Sequence, residues 1–305
     1  IRLSFMTVIL LFSSLGVLAA DSVEFTKDNE RVTIKDEGHT ILVYKYAGVP
    51  FKPYVEQFCT PSGVNVLRDA PSDHLHHHGL MFAIRVDDVN FWEERNDPGI
   101  QKTTDLAEVK THEFGGVNWT GFTSHINWSS SKDEKVLLKE QRLIEVAFDQ
   151  KGKASGITWT STFSLPEGKA SATLTGANYH GLGMRFLPSM DTGGSFLNSD
   201  GKTGVDGTND ARAKWCSYSA LADGKEVTIV LLDHSANPRH PATWFTMTQG
   251  FAYLSATLNL SKEPLELKAP ESLTLRYALI LADGKIEASK ITDLYNKWTA
   301  LPLAK

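Results

Sequence analysis

Four of the five positions 74–78 are histidine, within the segment Asp73-His74-Leu75-His76-His77-His78-Gly79. Imidazole is the commonest neutral metal ligand and carries protons near neutral pH, so such a run suits a divalent metal or acid–base work. If a strand begins inside it, alternation places His74, His76 and His78 on one face and His77 on the other. A second polar group follows far downstream, Asp233-His234-Ser235-Ala236-Asn237-Pro238-Arg239-His240-Pro241, with Trp244 close behind. The apolar run 227–232 before it reads as a buried strand, so this Pro-stiffened loop leaves a rigid element, a common setting for functional residues. Arg239 supplies a planar fork of donors suited to a carboxylate, a phosphate or paired sugar hydroxyls. The competing reading is a structural corner in which Arg239 pairs with Asp233.

Two shorter segments lie between these clusters. In Tyr179-His180-Gly181-Leu182-Gly183-Met184-Arg185-Phe186 the glycines permit close backbone approach while His180 and Arg185 contribute polar reach. In Asn90-Phe91-Trp92-Glu93-Glu94 aromatic rings sit beside two carboxylates, a combination able to stack a sugar ring and move a proton.

These residues need a frame, and the sequence points to sheets. Short segments alternate or are rich in β-branched residues, as in Val23-Glu24-Phe25-Thr26, Arg31-Val32-Thr33-Ile34 and Thr40-Ile41-Leu42-Val43-Tyr44. Further strands are expected at 80–86, 106–114, 121–129, 135–148, 156–165, 170–178, 213–220, 225–233, 250–258 and 271–282. Turn signals such as Pro166-Glu167-Gly168, Ala222-Asp223-Gly224 and Ala282-Asp283-Gly284 separate many of them. Strand–turn–strand spacing without intervening helical periodicity predicts an all-β fold, a large antiparallel β-sandwich. One helix is expected over 286–300, where Ile291, Leu294, Tyr295 and Trp298 recur at spacings of three and four. Residues 187–212, rich in Gly, Asn and Asp, read as a long loop bordering a cleft.

Residues 1–20 have the order of a secretory signal: Arg2, an apolar middle, then small residues up to Ala20. The expectation is a signal peptide at 1–20, a single domain over 21–305 and a secreted or periplasmic location. No later stretch is long and apolar enough to cross a membrane, so no membrane association is expected after cleavage. The chain has 31 Lys and Arg against 36 Asp and Glu, a formal net charge of −5, which argues against a nucleic-acid partner. With 41% hydrophobic and 22% charged residues the composition is that of a folded protein, not a disordered one. Cys59 and Cys216 read as ordinary buried thiols.

The Asp-His-x-His-His run, the Gly-Leu-Gly-x-Arg segment and Asp-His-x-x-Asn-Pro-Arg-His-Pro together resemble the secreted family labelled methane oxygenase PmoA, over about 43–298. Members usually read Asp-His-Pro-His-His-Arg-Gly followed by Leu-Trp; here Leu75, His78 and Met81 stand at the differing places. The resemblance implies a galactose-mutarotase-like β-supersandwich of the kind found in sugar-processing enzymes, in the setting of exported carbohydrate degradation. It does not imply a membrane-embedded monooxygenase, which needs several spanning helices.

Three functions follow as expectations. The first is a carbohydrate-active enzyme taking a small glycoside or sugar derivative, with His76, His77, His180, His240 and Glu94 in catalysis. Arg185, Arg239, Trp92, Trp244 and Asp233 would then bind the substrate. The second is a copper- or iron-dependent oxidase or oxygenase, with His74, His76 and His234 as candidate ligands of a divalent metal. The third is a non-catalytic sugar-binding module.

Overall fold

A computed structural model of the chain describes residues 23–114, 117–149 and 154–301. The signal peptide expected at 1–20 lies outside the described residues.

Two antiparallel eight-stranded sheets face each other. The first runs in the order β1 (Val23–Lys27), β2 (Arg31–Asp36), β3 (His39–Lys45), β4 (Tyr54–Phe58), β5 (Leu80–Ala83), β13 (Gly181–Arg185), β18 (Tyr253–Thr257) and β17 (Thr243–Met247). The second runs β14 (Ser195–Asn198), β15 (Trp215–Ala222), β16 (Lys225–Asp233), β20 (Leu273–Asp283), β11 (Ala154–Ser164), β10 (Val136–Asp149), β9 (Val117–Ser130) and β8 (Gly99–Phe114). A smaller sheet joins β19 (Leu265–Lys268), β12 (Ser171–Thr175), β6 (Arg85–Val86) and β7 (Val89–Asn90). The expected all-β antiparallel sandwich is the observed fold.

Alternation explains the layering. In β11 every second residue from Ser155 to Phe163 is buried, with Ile157, Trp159 and Phe163 facing the interior. The opposing sheet contributes Val32, Ile34, Leu42, Tyr44, Val55, Phe82 and Leu254 to the same hydrophobic cluster. β16 departs from alternation, being buried continuously from Val227 to Asp233. Its two faces have different covers: Ile229 and Leu231 join the main core, while Val230 and Leu232 pack beneath the C-terminal helix. That helix, α2 (Ala288–Thr299), follows the short α1 (Gly204–Thr208) and buries Ile291 and Tyr295, with Trp298 packed alongside. It forms where the three-and-four spacing places it.

Several elements depart from expectation. Residues 187–212 are not one long loop but carry a 3-10 turn (Pro188–Met190), β14 and α1. Each is five residues or fewer, too short to show a period. Tyr218 fixes the first of them by donating to the Met190 carbonyl at 2.6 Å. Strands β4, β7, β13, β17 and β19 also arise where no strand was expected, and β8 begins seven residues before the expected 106. Cys59 and Cys216 are free and buried, and burial pushes the Cys59 thiol up to about 12.

Candidate functional site

The histidine run does not begin a strand. Residues 70–79 form a tight turn in which His74 N–H bonds Pro71, His77 N–H bonds His74 and Ala70 N–H bonds His77, each at 2.9 Å. β5 starts only at Leu80. Gly79 makes the turn possible: at φ +37, a Cβ there would meet the Val55 carbonyl oxygen at 2.1 Å. The strand-face expectation for these rings is therefore corrected. His74, His76 and His77 share one side, with ring centroids 4.6–5.7 Å apart, while His78 points away from them toward Asp69 and Glu94.

The three clustered rings form one wall of a cleft of about 370 Å³. An adjoining wall comes from the β17–β18 hairpin, through Phe245, Met247, Gln249, Phe251 and Tyr253, with Phe251 and Tyr253 against the His77 ring. β17 alternates, burying Trp244 and Thr246 while Phe245 and Met247 turn to the cleft. The segment after β7 adds Trp92, Glu93 and Arg95, and Tyr179 closes the side before β13. β13 lies between β5 and β18, and so seats His180 and Arg185 directly behind these walls. His180 stacks on Trp92 at 5.0 Å, and the Arg185 guanidinium lies 3.5 Å from the Phe251 ring centroid. Gly183 lets Tyr253 in, because a Cβ there would stand 2.4 Å from its hydroxyl.

The electrostatics are unusual for a core. Burial, aided by neighbouring His76, His74 and Arg185, pushes the His77 imidazole down to about 2. Burial together with Arg85 and Lys52 brings His180 down to about 3. His76 is half-buried and lowered by the same combination, burial first and then the Lys52 charge. All three are neutral imidazoles at pH 7, able to accept as well as donate. Arg185 gives one donor to Asp73 at 3.0 Å, and its Nε and Nη1 have no partner. Neither do His77 Nδ1, Trp92 Nε1, both ring nitrogens of His180 or the Tyr253 hydroxyl. Among the described residues eleven buried side-chain atoms lack a partner, and seven of them are these. Each unpaired buried group costs about 1–3 kcal/mol, so such a concentration calls for a reason beyond folding.

The two adjacent carboxylates divide their work. Glu93 lines the cleft and accepts from Tyr179 at 2.8 Å, and also from Asn90 Nδ2. Burial first, then this hydrogen bond, pushes the Tyr179 phenol up to about 12. Glu94 turns the other way, into a chain of charges. Its Oε1 receives Lys52 Nζ and, at 3.0 Å, His78 Nε2; His78 Nδ1 reaches Asp69 at 2.7 Å, and Asp69 takes the Tyr54 hydroxyl at 2.8 Å. Burial opposes the charge on both His78 and Glu94, but the hydrogen bonds prevail, raising His78 and lowering Glu94. His78 is thus clamped between two carboxylates, which favour its charged form. Lys52 also donates to the Trp92 carbonyl at 3.1 Å, so this cluster holds the segment that carries Trp92 and Glu93. Glu94, expected to accept a proton there, does not line the cleft; its neighbour Glu93 does.

The downstream polar cluster is a structural corner. Arg239 donates to the carbonyls of Leu258, Glu263 and Pro264 and orients nothing in the cleft. Asp233 accepts from Asn237, His240 and the Ala242 N–H at 2.7–2.8 Å, not from Arg239. His240 sits between Asp233 and Tyr295 of α2, and His234 packs edge-on against Trp298. Trp244 is core, its Nε1 donating to the Ala213 carbonyl. No hydrogen bond, ion pair or ring contact among the described residues joins these side chains to the cleft, so Arg239, Asp233, Trp244, His234 and His240 do not assemble with His76, His77, His180, Arg185 and Trp92. The expected metal set fails on the same ground. His234 is not with His74 and His76, and no three His, Cys, Asp or Glu among the described residues are arranged to hold an ion. Arg239→Ala is expected to cost about 2 kcal/mol of stability, measured by urea unfolding, and to leave ligand binding in the cleft unchanged.

Sequence reasoning passed over Lys52, Arg95, Phe245, Met247, Gln249, Phe251 and Tyr253. The one available signal was the alternation Thr243-Trp244-Phe245-Thr246-Met247, which puts large side chains on both faces of an edge strand.

Fold and site together define a β-supersandwich with an aromatic, histidine-walled cleft. The chain belongs to a family of unknown function (DUF6807), whose family model matches residues 31–296. No protein with a curated description matches it. Among solved structures it is similar to an α-galactosidase from Lactobacillus brevis, at 5% identity and TM-score 0.50, covering 93% of this chain and 42% of that one. It is likewise similar to the GH36 α-galactosidase AgaB from Geobacillus stearothermophilus, at 10% identity and TM-score 0.51, covering 86% and 41%. YeaD from Salmonella typhimurium, described as a candidate mutarotase, matches at 10% identity and TM-score 0.38 over 86% of this chain and 94% of its own. The chain spans about two fifths of the length of the galactosidase chains, and the likeness is one of fold.

Proposed function

We propose that the cleft between the 70–79 turn and the β17–β18 hairpin binds a small carbohydrate or glycoside and performs acid–base chemistry on it. One observation carries this reading: seven buried polar atoms without protein partners cluster on and just behind its walls. A hydroxyl-rich ligand can reach such groups through water, or directly once the side chains that cover them shift. The partly exposed rings of Tyr179 and Phe245 suit the apolar faces of a sugar ring. A volume of about 370 Å³ lies near the lower end of small-molecule sites, which fits one or two rings and not a long polymer. Sugar-active proteins among the fold neighbours agree with this, without specifying a reaction.

In this mechanism Glu93 takes up a proton and Tyr179, hydrogen-bonded to it, relays one between the ligand and the carboxylate. His76, neutral and half-buried, is a second base within the same cleft. His77 orients a hydroxyl as a neutral donor or acceptor, and His180, stacked behind Trp92, backs that wall. Hydrolysis, elimination and epimerisation all draw on such a pair. Glu93→Gln is expected to lower kcat at least 100-fold on whichever glycoside is turned over, with binding retained. Glu94→Gln should act on stability instead. A broad glycoside panel without turnover, but with sugar binding that Glu93→Gln weakens, would make the protein a binding module.

The same proposal takes 21–305 as one working unit delivered outside the cytoplasm by residues 1–20. Cell fractionation checks it, with the protein expected in the periplasm or medium.

A further inference from the structure

Most of the charges that line or back the cleft have a partner of opposite sign. Arg185 meets Asp73, Lys52 meets Glu94, His78 meets Asp69, and Arg85 stands 4.0 Å from Glu93. Arg95 lines the same cleft, is exposed, and makes no hydrogen bond or ion pair among the described residues. Behind the wall formed by Phe251 the pairing of Arg185 is also incomplete, since Nε and Nη1 of this 1% exposed side chain find no partner. A chain of net charge −5 therefore presents at this cleft an exposed guanidinium without a carboxylate partner, together with buried polar atoms on His77 and Tyr253.

We propose that the ligand of this cleft is an acidic sugar, a ring carrying a single carboxylate, held by Arg95 at the rim. The inference rests on the carbohydrate reading above and narrows it. A neutral sugar leaves the Arg95 guanidinium unused. A dianionic phosphate brings more charge than the cleft balances, in a setting where Glu93 and Asp73 already stand close. A carboxylate matches the guanidinium fork in charge and geometry. The neutral imidazoles of His76 and His77 remain free for hydroxyls.

Calorimetric titration at low and moderate ionic strength tests this with five probes: galacturonate, methyl glucuronide, galactose, methyl glucoside and glucose 6-phosphate. The acidic sugars are expected to bind at least tenfold more tightly than their neutral counterparts, a preference that added salt reduces. Arg95→Gln should abolish the preference while leaving neutral-sugar affinity within about twofold, and Arg95→Lys should retain part of it. Equal binding of acidic and neutral sugars would overturn the carboxylate assignment and leave the carbohydrate reading standing. Tighter binding of glucose 6-phosphate than of both uronates would overturn it in favour of a phosphosugar. Binding by none of the five would overturn both.

Discussion

Arg142→Ala is expected to lower the free energy of unfolding by about 3–5 kcal/mol, a large share of the roughly 5–15 kcal/mol that holds a typical domain together. Arg142 and Glu140 are fully buried between the two sheets, two residues apart on β10 and therefore on one face. The guanidinium donates to both Glu140 oxygens at 2.8–2.9 Å, to Tyr44 and to the Pro53 carbonyl, and it stacks 4.5 Å from the Trp159 ring centroid. Glu140 also accepts from Trp128 Nε1 and Ser161 Oγ. Burial works against the charge on Arg142, yet Glu140 keeps its pKa above the ordinary value. Removing the cation leaves a carboxylate in the core with two weaker partners, and that uncompensated charge is the source of the loss. The double variant Glu140→Leu/Arg142→Met removes both charges and should cost markedly less than the sum of the single changes. Urea unfolding of the four proteins measures this; a loss below about 1 kcal/mol for Arg142→Ala would show that Glu140 is not left uncompensated when the cation is removed.

Lowering the pH from 7 to 5 is expected to remove about 4 kcal/mol of stability through His77 and His180. Both have folded pKa values far below 6.5, about 2 and about 3, so the unfolded chain binds protons more readily than the folded one. Their contribution is complete above pH 6.5 and declines as the pH falls from 6.5 toward 3. At pH 5 each group has crossed about 1.5 pH units of that window, worth about 2 kcal/mol. His76 and His234 are lowered too and act with the same sign. His78 has the opposite sign, being raised, but its window lies above 6.5 and adds nothing to the loss below it. Asp73, held at about 2, gives its stability above the ordinary carboxylate range and loses it only at lower pH. Unfolding curves at pH 7, 6 and 5 measure the slope, and His180→Gln should reduce it by nearly half. A stability unchanged between pH 7 and 5 would mean that these imidazoles are not buried neutral.

Much of the frame was legible because burial repeats every second residue in strands such as β2, β11 and β12, and every three or four in α2. What escaped was short or glycine-rich. β13 reads Gly-Leu-Gly-Met-Arg and is buried on both faces, so it shows no alternation, only two glycines that look like a loop. For the site, the sequence marked the right residue types without their states. Arg239 and Arg185 look equally able to bind a ligand on paper; three backbone carbonyls occupy the first, while two nitrogens of the second have no partner. Glu93 and Glu94 differ by one position, and only the turn after β7 decides which faces the cleft. The four histidines were read with strand geometry, whereas Gly79 and the 70–79 turn separate His78 from the other three.

The central claim is that the cleft walled by His77 and backed by His180 binds a sugar, and that the histidine cluster beneath α2 does not. Imidazole nitrogen resonances read both places at once. With the protein labelled at histidine and titrated with the neutral and acidic sugars above, His76, His77 and His180 are expected to shift along one saturating curve, while His234 and His240 stay in place. Saturable shifts at His234 and His240, with the cleft imidazoles unmoved, would contradict the account.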